Sequence, residues 1–442
     1  GLFDSIGACV AQQFVLLPYY FAVFHQNKER HLLREITGRP IRRDASEMKV
    51  GLFTDTLDDV NGVARFIRDM GEQASASGCQ LMVHTCTASP RQELPWRKNF
   101  EPLLARPLPY YKDLSLNLPP LLECLEWADR QQFDAVHVST PGPMGLVGWA
   151  VSRMLRVPLL GTYHTDFPAY IDQLTRDHRV TNGAVQYFRW FYGPMAGVFS
   201  RSKSYRFNLV DLGIAEEKLR NILPGINTEK FNARHRDPSV WAEYGVREPR
   251  RVLYCGRVSI EKNLPLLVEA FRLLSRKRQD VALVIAGEGP YLAKMKEELA
   301  GTGAYFLGYR NDAQLGPLYA SADLFVFPSR TDTLGQVVME AQASGLPAIV
   351  SNEGGPKETV EHDVTGLILP ATDPARWAGA IDELLSDEPR RLWMSSNAAP
   401  RLARSSSLAR TFESFWNDHA EAAFPPLRTE DLVVPARSVA TL

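Results

Sequence analysis

The chain has 442 residues, of which 45% are hydrophobic and 23% charged, a balance typical of a globular protein with two or three domains. Its 50 basic and 51 acidic residues give a net charge of −1, which argues against a nucleic-acid-binding protein, since such proteins usually carry a basic excess. The five cysteines are odd in number and include no CxxC pair, so we expect no zinc site and a reducing, cytoplasmic environment.

Residues 1–47 are predicted to form an N-terminal extension or linker. Within it, residues 7–24 are apolar but interrupted by two glutamines and a proline, and a membrane span needs about 20 consecutive apolar residues. A basic run follows at 28–43. Together they fit either a peripheral segment on an anionic membrane face or a solvated linker. The chain begins at Gly1 rather than Met, which leaves a fragment, a processed product or part of a fusion open.

From residue 48 onward, short apolar runs alternate with helical patterns, which predicts a parallel sheet covered by helices on both faces. The first strand is followed by a polar loop at 55–63 and by a helix over 63–76. The strands predicted for this first domain are 49–54, 80–85, 134–139, 158–162 and 196–200.

The alternation breaks at 224–250, where prolines and charges predict a linker, and then restarts. The strands predicted after the break are 251–256, 281–286, 304–307, 323–327 and 347–350, and the helices are 264–277, 291–300, 312–321, 334–344 and 374–386. The fold class is therefore α/β, with two doubly wound domains at 48–226 and 227–405 and a C-terminal helix and tail at 406–442. Ligands of such sheets bind at the carboxyl ends of the strands, so two facing domains predict a cleft for two substrates.

The second domain carries a pair of candidate phosphate-binding cations. Arg257 follows the first predicted strand, and Lys262 lies just before a helix predicted to begin at Leu264. Fixed cations beside a helix N-terminus suit a diphosphate. Two solvated surface cations would explain the same residues equally well.

Two carboxylates follow the strand 323–327. Asp332 lies in the loop and Glu340 is predicted about two turns inside the next helix, where each could accept hydrogen bonds from sugar or ribose hydroxyls. The backbone of Thr333, Leu334 and Gly335 opens that helix and could hold phosphate. An N-cap for Asp332 and a surface charge for Glu340 are the plainer interpretations of each residue alone.

Three further features are weaker. Glu288 lies between two glycines in a turn after a strand, and Gly62 opens the first helix of the first domain after Asn61. Both are also explained as ordinary tight turns. His164 follows a strand end that should face the cleft, although a lone histidine is more often structural.

Seven ordered motifs resemble the family 4 retaining glycosyltransferases of the GT-B fold, which have two facing Rossmann-like domains. The resemblance covers about residues 48–420, and the motifs are VNGV, YHTDFPAY, PGINTEKF, GRVSIEKN, GEGP, TDTLGQVVMEA and SGLPAIVSNEGGPKE. The first acidic position of the family is usually Glu and is Asp332 here. That TDTLG form is similar to the branch that includes diacylglycerol sulfoquinovosyl- and mannosyltransferases.

The resemblance implies roles for the matching positions. Arg257 and Lys262 correspond to the pair that neutralises the donor diphosphate, while Asp332 would face the transferred sugar. Glu340 would hold the nucleotide ribose, and His164 would lie beside the donor sugar. The glycine of the first-domain loop corresponds to Gly62, and the segment Gly308, Tyr309 and Arg310 would lie near the base.

The reaction implied is transfer of a hexose-type sugar, with retention, from a UDP- or GDP-sugar to a hydroxyl acceptor, either a lipid or a glycan. Neither a cofactor nor a metal is expected, because no DxD motif is visible and the cation pair can take a metal's place. Two alternatives stay open: a sugar-nucleotide epimerase of the same fold, and a degenerate sugar-nucleotide-binding scaffold. A phosphorylase is disfavoured because no lysine stands out as a Schiff-base candidate.

Overall fold

A computed structural model describes residues 47–425 except 60–61, 109–110, 165–167, 169–170, 172–176, 202, 223–224, 333 and 406, together with isolated positions between 8 and 36. Most of the predicted N-terminal extension and the tail from 426 onward therefore lie outside the described residues. Within the described part of the chain, no helix is long and apolar enough to cross a membrane.

The first half of the chain builds a seven-stranded sheet in which all neighbouring strands are parallel, in the order β3-β2-β1-β6-β7-β8-β9. Its central strands are buried along their whole length, as expected for a parallel sheet with helices on both faces. The strands are β1 (Lys49–Phe53), β2 (Gln80–Cys86), β3 (Arg97–Phe100), β6 (Ala135–Val138), β7 (Leu159–Tyr163), β8 (Gly197–Ser200) and β9 (Leu219–Asn221). A separate antiparallel hairpin pairs β4 (Leu104–Leu108) with β5 (Tyr111–Leu118).

Among the described residues, five helices accompany these strands. The first of them starts directly after the polar loop that follows β1, and the third starts with Pro143 after Gly142, which uses the preset φ of proline at a helix start. The helices are α1 (Gly62–Ala76), α2 (Leu121–Gln131), α3 (Pro143–Leu155), α4 (His178–Tyr192) and α5 (Lys203–Asp211).

The second half builds a six-stranded parallel sheet in the order β12-β11-β10-β13-β14-β15. Its strands are β10 (Arg250–Cys255), β11 (Val281–Ala286), β12 (Ala304–Gly308), β13 (Leu324–Phe327), β14 (Ala348–Ser351) and β15 (Gly366–Leu369). Its helices are α6 (Val240–Glu243), α7 (Leu264–Ser275), α8 (Leu292–Glu298), α9 (Asp312–Ser321), α10 (Gln336–Ala343), α11 (Pro374–Ser386) and α12 (Glu388–Ser405). The predicted α/β class with two doubly wound sheets is confirmed.

All ten predicted strands are present, and the described part of the chain contains five further strands that were missed. Three of the missed strands, β3, β9 and β15, lie at sheet edges, where a strand needs little apolar sequence: β3 reads RKNF and β9 has three residues. The other two form the hairpin outside the main sheet. The apolar signal was therefore weak for β3 and β9, and the hairpin lay outside the βα alternation. The strand β15 was missed although its sequence, GLIL, is apolar.

The interpretation of 224–250 as a linker is wrong for its middle part. Phe231, Trp241 and Val246 are at most 4% exposed and belong to the core of the second half, and the indole of Trp241 donates to the carbonyl of Ser321 at 3.1 Å. The prolines and charges of the segment concealed its buried apolar residues.

The last helix, α13 (Leu408–Ala423), returns from the second half of the chain to the first. Its Phe412, Phe415 and Trp416 are buried in one cluster with Met48 and other residues around β1 and α1. The C-terminal helix is thus a structural part of the first half.

Candidate active site

Three loops meet at the carboxyl edge of the second sheet, after β10, β11 and β12. The backbone N–H of Gly287 donates to the carbonyl of Gly308 at 2.9 Å, and that of Val258 donates to the carbonyl of Glu288 at 2.8 Å. Gly287 has φ +151°, and a Cβ at this position would lie 1.9 Å from the carbonyl oxygen of Gly256. Only glycine allows so close an approach, so the GEGP turn ties the three strand ends together.

The predicted cation pair lies at this edge. Lys262 ends a short 3-10 turn (Ile260–Lys262), and α7 begins at Leu264 as predicted. Its ammonium group contacts both carboxylate oxygens of Asp332, at 2.8 and 2.9 Å. Arg257 lies in the loop directly after β10, five residues before Lys262, with its Nε 4.0 Å from Glu261 Oε1. The fold thus brings together Lys262 and Asp332, which are 70 positions apart in sequence.

The loop that carries Asp332 differs from the simplest interpretation of the sequence. The residue before α10 is Gly335, with φ +75°, so Asp332 is not the N-cap of that helix. The carbonyl of Asp332 accepts the backbone N–H of Gly355 at 2.8 Å, which anchors the loop to the segment after β14. Leu334 is buried, and Thr333 lies outside the described residues.

Glu340 is fully buried, which rules out the alternative of a helix-surface charge. Because α10 begins at Gln336, the carboxylate lies a little over one turn inside the helix and not two. One carboxylate oxygen accepts the hydroxyl of Tyr319 at 3.0 Å, and the other accepts the guanidinium of Arg65. Burial raises the pKa of Glu340 and the charge of Arg65 opposes that rise.

Sequence reasoning missed Arg65. It lies on α1 in the first half of the chain and contacts Asp312 Oδ1 at 2.5 Å as well as Glu340. Its position in the first turn of the helix that Gly62 opens was the available signal, because that turn faces the cleft.

Two more side chains of the first half reach the loop and helix that carry Asp332 and Glu340. The guanidinium of Arg201 donates to the side-chain oxygen of Gln336 at 2.9 Å and to the carbonyl of Gly62 at 3.3 Å. The hydroxyl of Tyr205 donates to the carbonyl of Thr331 at 2.9 Å. Gly62 therefore lies directly opposite the start of α10, where a Cβ would be 4.0 Å from Cβ of Gln336.

His164 lies at the carboxyl end of β7, as predicted, and is 7% exposed. Its Nε2 is 2.8 Å from the hydroxyl of Ser139, and the ring of Phe66 packs edge-on at 5.5 Å. Burial, together with the charge of Arg201, lowers the pKa of His164 well below its ordinary value. The imidazole is therefore neutral at pH 7 and can donate or accept a hydrogen bond without adding charge.

Glu288, Gly308 and Tyr309 form one rim of the site. The backbone N–H of Tyr309 donates to Glu288 Oε1 at 3.3 Å, and Gly308 has φ +71°. Tyr309 is 45% exposed, and the guanidinium of Arg310 stacks 5.0 Å from the ring centre of Tyr244. An exposed aromatic ring at such a rim is suited to stacking on a flat ligand group. Among the described residues, no group of three His, Cys, Asp or Glu side chains could hold a metal ion.

Two Rossmann-like sheets whose carboxyl edges face each other across a cleft define the GT-B class of glycosyltransferase. Two family profiles match consecutive parts of the chain: "Glycosyltransferase Family 4" over residues 60–230 and "Glycosyl transferases group 1" over residues 242–401. The chain belongs to the family 4 glycosyltransferases of the GT-B fold, and it is an enzyme of the glycosyltransferase type.

Relatives of known activity point to the same branch as the TDTLG motif. A sulfoquinovosyl transferase of Arabidopsis thaliana is 30% identical over 302 residues, which are 64% of this chain and 56% of that protein. An alpha-monoglucosyldiacylglycerol synthase of Streptococcus pneumoniae is 28% identical over 348 residues, 73% of this chain and 78% of that protein.

Solved structures share the fold. A sucrose-phosphate synthase of Thermosynechococcus elongatus superposes with a TM-score of 0.70 at 20% identity, and the match covers 84% of this chain and 99% of that one. The Anabaena protein HepE in complex with UDP and glucose gives a TM-score of 0.68 at 18% identity, with the same coverage.

Proposed function

We propose that this enzyme transfers a hexose-type sugar, with retention of configuration, from a UDP- or GDP-sugar to a hydroxyl of a lipid acceptor. One observation carries the donor part: Lys262, which is ion-paired with Asp332, and Arg257 lie in the same loop at the carboxyl edge of the second sheet. A diphosphate that enters this edge would meet both cations and the start of α7. One relative is named as an alpha-monoglucosyldiacylglycerol synthase and another as a GDP-mannose-dependent alpha-mannosyltransferase, so the nucleotide base of the donor is a question for experiment.

The chemistry that these residues can perform is stabilisation of the departing diphosphate. Arg257 and Lys262 would offset the negative charge that develops as the glycosidic bond breaks, without the reorganisation that water would need. Lys262 would then exchange part of its contact with Asp332 for phosphate, which frees that carboxylate to accept hydroxyls of the sugar. The phosphate oxygen itself would take the acceptor's proton, so no strong protein base is required.

The first half of the chain would supply the opposite wall. Neutral His164 can form a hydrogen bond with a sugar hydroxyl without competing for the diphosphate charge. Gly62 has no side chain to obstruct the space before α10, so a donor could approach its backbone closely. Contact between the two halves would exclude water that otherwise hydrolyses the donor.

A face of the first half supports the lipid acceptor. Neither α3 nor α4 contains an acidic residue, and both contain arginines. Trp149 stacks on Trp190 at 5.4 Å, Arg153 lies 4.9 Å from the ring of Trp149, and Trp190 is 52% exposed. Tryptophan and arginine side by side on the outer face of these two helices suit the headgroup region of an anionic membrane. The enzyme would then act as a peripheral protein on such a surface.

Thermal shift measurements with UDP, GDP, ADP and their sugar conjugates test the donor. A ligand at about 100 times its Kd adds about 2.7 kcal/mol of stability, which gives a clear rise in Tm. We expect a rise with UDP or GDP without metal, and loss of that rise in Arg257→Ala and Lys262→Ala. No rise with any nucleotide in a folded sample would favour a scaffold, and donor conversion without acceptor would favour an epimerase.

Flotation with vesicles tests the acceptor surface. We expect the full chain to float with phosphatidylglycerol vesicles and less with phosphatidylcholine, and Trp190→Ala to float less. Trp393, which is 50% exposed on the second half, provides the matched control Trp393→Ala. Wild-type protein that stays in the bottom fraction with anionic vesicles would count against a lipid acceptor and in favour of a soluble glycan.

A further inference from the structure

We propose that Arg65 is an interdomain clasp that holds the nucleotide-free enzyme closed by occupying Glu340, so that donor binding must displace it. This inference rests on the proposed function, in which Glu340 receives the nucleotide ribose. It adds Arg65, a residue from the opposite half of the chain, which would compete with the donor for the carboxylate of Glu340.

The contacts of Glu340 leave no room for a ribose while the clasp is closed. The residue has no exposed surface, Tyr319 donates to one carboxylate oxygen, and Arg65 donates to the other. Tyr319 belongs to the same half of the chain as Glu340 and is itself fully buried, so it would stay in place when the halves separate. Arg65 comes from α1 and is the partner that an opening movement would remove.

The clasp has a second anchor on the same side of the cleft. The other guanidinium nitrogen of Arg65 contacts Asp312 at the start of α9, so the arginine links α1 to two helices of the second half. Its guanidinium also lies 5.6 Å from the ring centre of Phe231, in the segment that connects the halves. Charge-assisted bonds at two nitrogens and a ring on one face hold the group in one orientation.

The surrounding charges explain why an arginine is needed at this point. Asp69 lies one turn further along α1, and Lys230 contacts both Glu72 and Asp312 at 3.6 to 3.7 Å. Four carboxylates therefore converge on two cations, Arg65 and Lys230. The closed arrangement depends on Arg65 because, without it, the buried Glu340 would lose its directly bonded cation beside other carboxylates.

The consequence is a competition that reduces donor affinity. If the closed form is incompetent for ribose binding, the apparent Kd of a nucleoside diphosphate rises by the reciprocal of the open fraction. Removing the clasp should therefore tighten nucleotide binding, whereas removing a residue that simply helps to bind nucleotide should weaken it. The direction of the change separates the two roles.

Isothermal titration calorimetry with UDP and GDP on the full chain tests this direction. We expect Arg65→Gln to bind the preferred nucleotide about 5- to 50-fold more tightly than wild type, within the usual range of coupling between a site and a conformational change. Arg65→Lys should show a smaller gain, because one ammonium cannot bridge Glu340 and Asp312 in the same way. Arg68→Gln, one turn further along α1, is the matched control and should bind as wild type does.

A double-mutant cycle and a shape measurement complete the test. The gain from Arg65→Gln should vanish in a Glu340→Gln background, and small-angle scattering without nucleotide should show a larger radius of gyration for Arg65→Gln than for Arg68→Gln. Unchanged or weaker nucleotide binding by a folded Arg65→Gln protein would overturn the clasp. If no form binds any nucleotide, the proposed function fails, and the scattering comparison alone decides the clasp: an unchanged radius would refute it.

Discussion

Two buried histidines, His137 on β6 and His419 on α13, join the C-terminal helix to the first sheet by a chain of hydrogen bonds that is complete with both rings neutral. The Nδ1 of His419 is 2.6 Å from the carbonyl oxygen of Phe415, and a carbonyl can only accept, so this nitrogen carries the hydrogen. Its Nε2 then accepts from Nδ1 of His137 at 3.0 Å. Nε2 of His137 in turn accepts the hydroxyl of Thr162 at 2.9 Å.

A proton added to either ring would place a positive charge in this buried site, which burial disfavours. Burial lowers the pKa of His419 to about 4 from an ordinary 6.5, and burial with the charge of His419 lowers that of His137 well below 6.5. In the unfolded chain both rings take up protons near pH 6.5. The stability that the neutral rings contribute is therefore complete above pH 6.5 and is lost as the pH falls toward 4.

The loss can be estimated for His419. Each pH unit between the unfolded and folded pKa values changes the free energy of unfolding by about 1.4 kcal/mol. At pH 5 the unfolded ring is protonated and the folded ring is not, which makes the loss about 2 kcal/mol. Other buried groups also titrate, so the informative quantity is the difference between two variants and not the total.

The variant His419→Gln keeps an acceptor for His137 and cannot titrate. Urea unfolding at pH 7.5 and pH 5, followed by circular dichroism, should show wild type losing about 2 kcal/mol more than His419→Gln over that interval. His178→Gln, at an exposed position of α4, is the control and should follow wild type. Equal losses in wild type and His419→Gln would refute the assignment of neutral, mutually bonded rings.

Two further predictions concern glycine and tryptophan positions in the second half. Gly287→Ala should destabilise the protein by about 1–3 kcal/mol or more and weaken nucleotide binding, because the added Cβ would collide with the carbonyl of Gly256. The control is Gly379→Ala, which lies in α11 with open space around it and should be neutral or stabilising. Thermal unfolding of both variants measures the difference. Trp241→Ala should lower the free energy of unfolding in urea by about 3–5 kcal/mol, as for other buried aromatic residues. The control Trp393→Ala, at an exposed position, should lower it by under about 1 kcal/mol. Similar small losses for both variants would mean that 224–250 is a linker.

Local patterns in the sequence were sufficient for the central strands and for part of the site. Apolar runs such as VALVIA at β11 are buried on both faces in any parallel sheet, so they are recognisable without knowledge of their neighbours. The carboxyl ends of parallel strands share one edge, and Lys262 and Asp332, which were singled out because they follow two such strands, lie in contact there. The start of α7 at Leu264 was equally readable.

Only the tertiary structure decided which surfaces meet. Arg65 and Glu340 are 275 positions apart, and each alone reads as an ordinary charge on a helix. Local patterns do not reveal contacts between segments that are far apart in the sequence. Such contacts produce the pairing of Arg65 with Glu340, the burial of Trp241 and the return of α13 to the first half. The sequence by itself therefore determined the two sheets, the glycosyltransferase family and the strand-end residues. The tertiary structure determined how the halves close on Glu340, because burial and charge pairing arise only once distant surfaces are packed together.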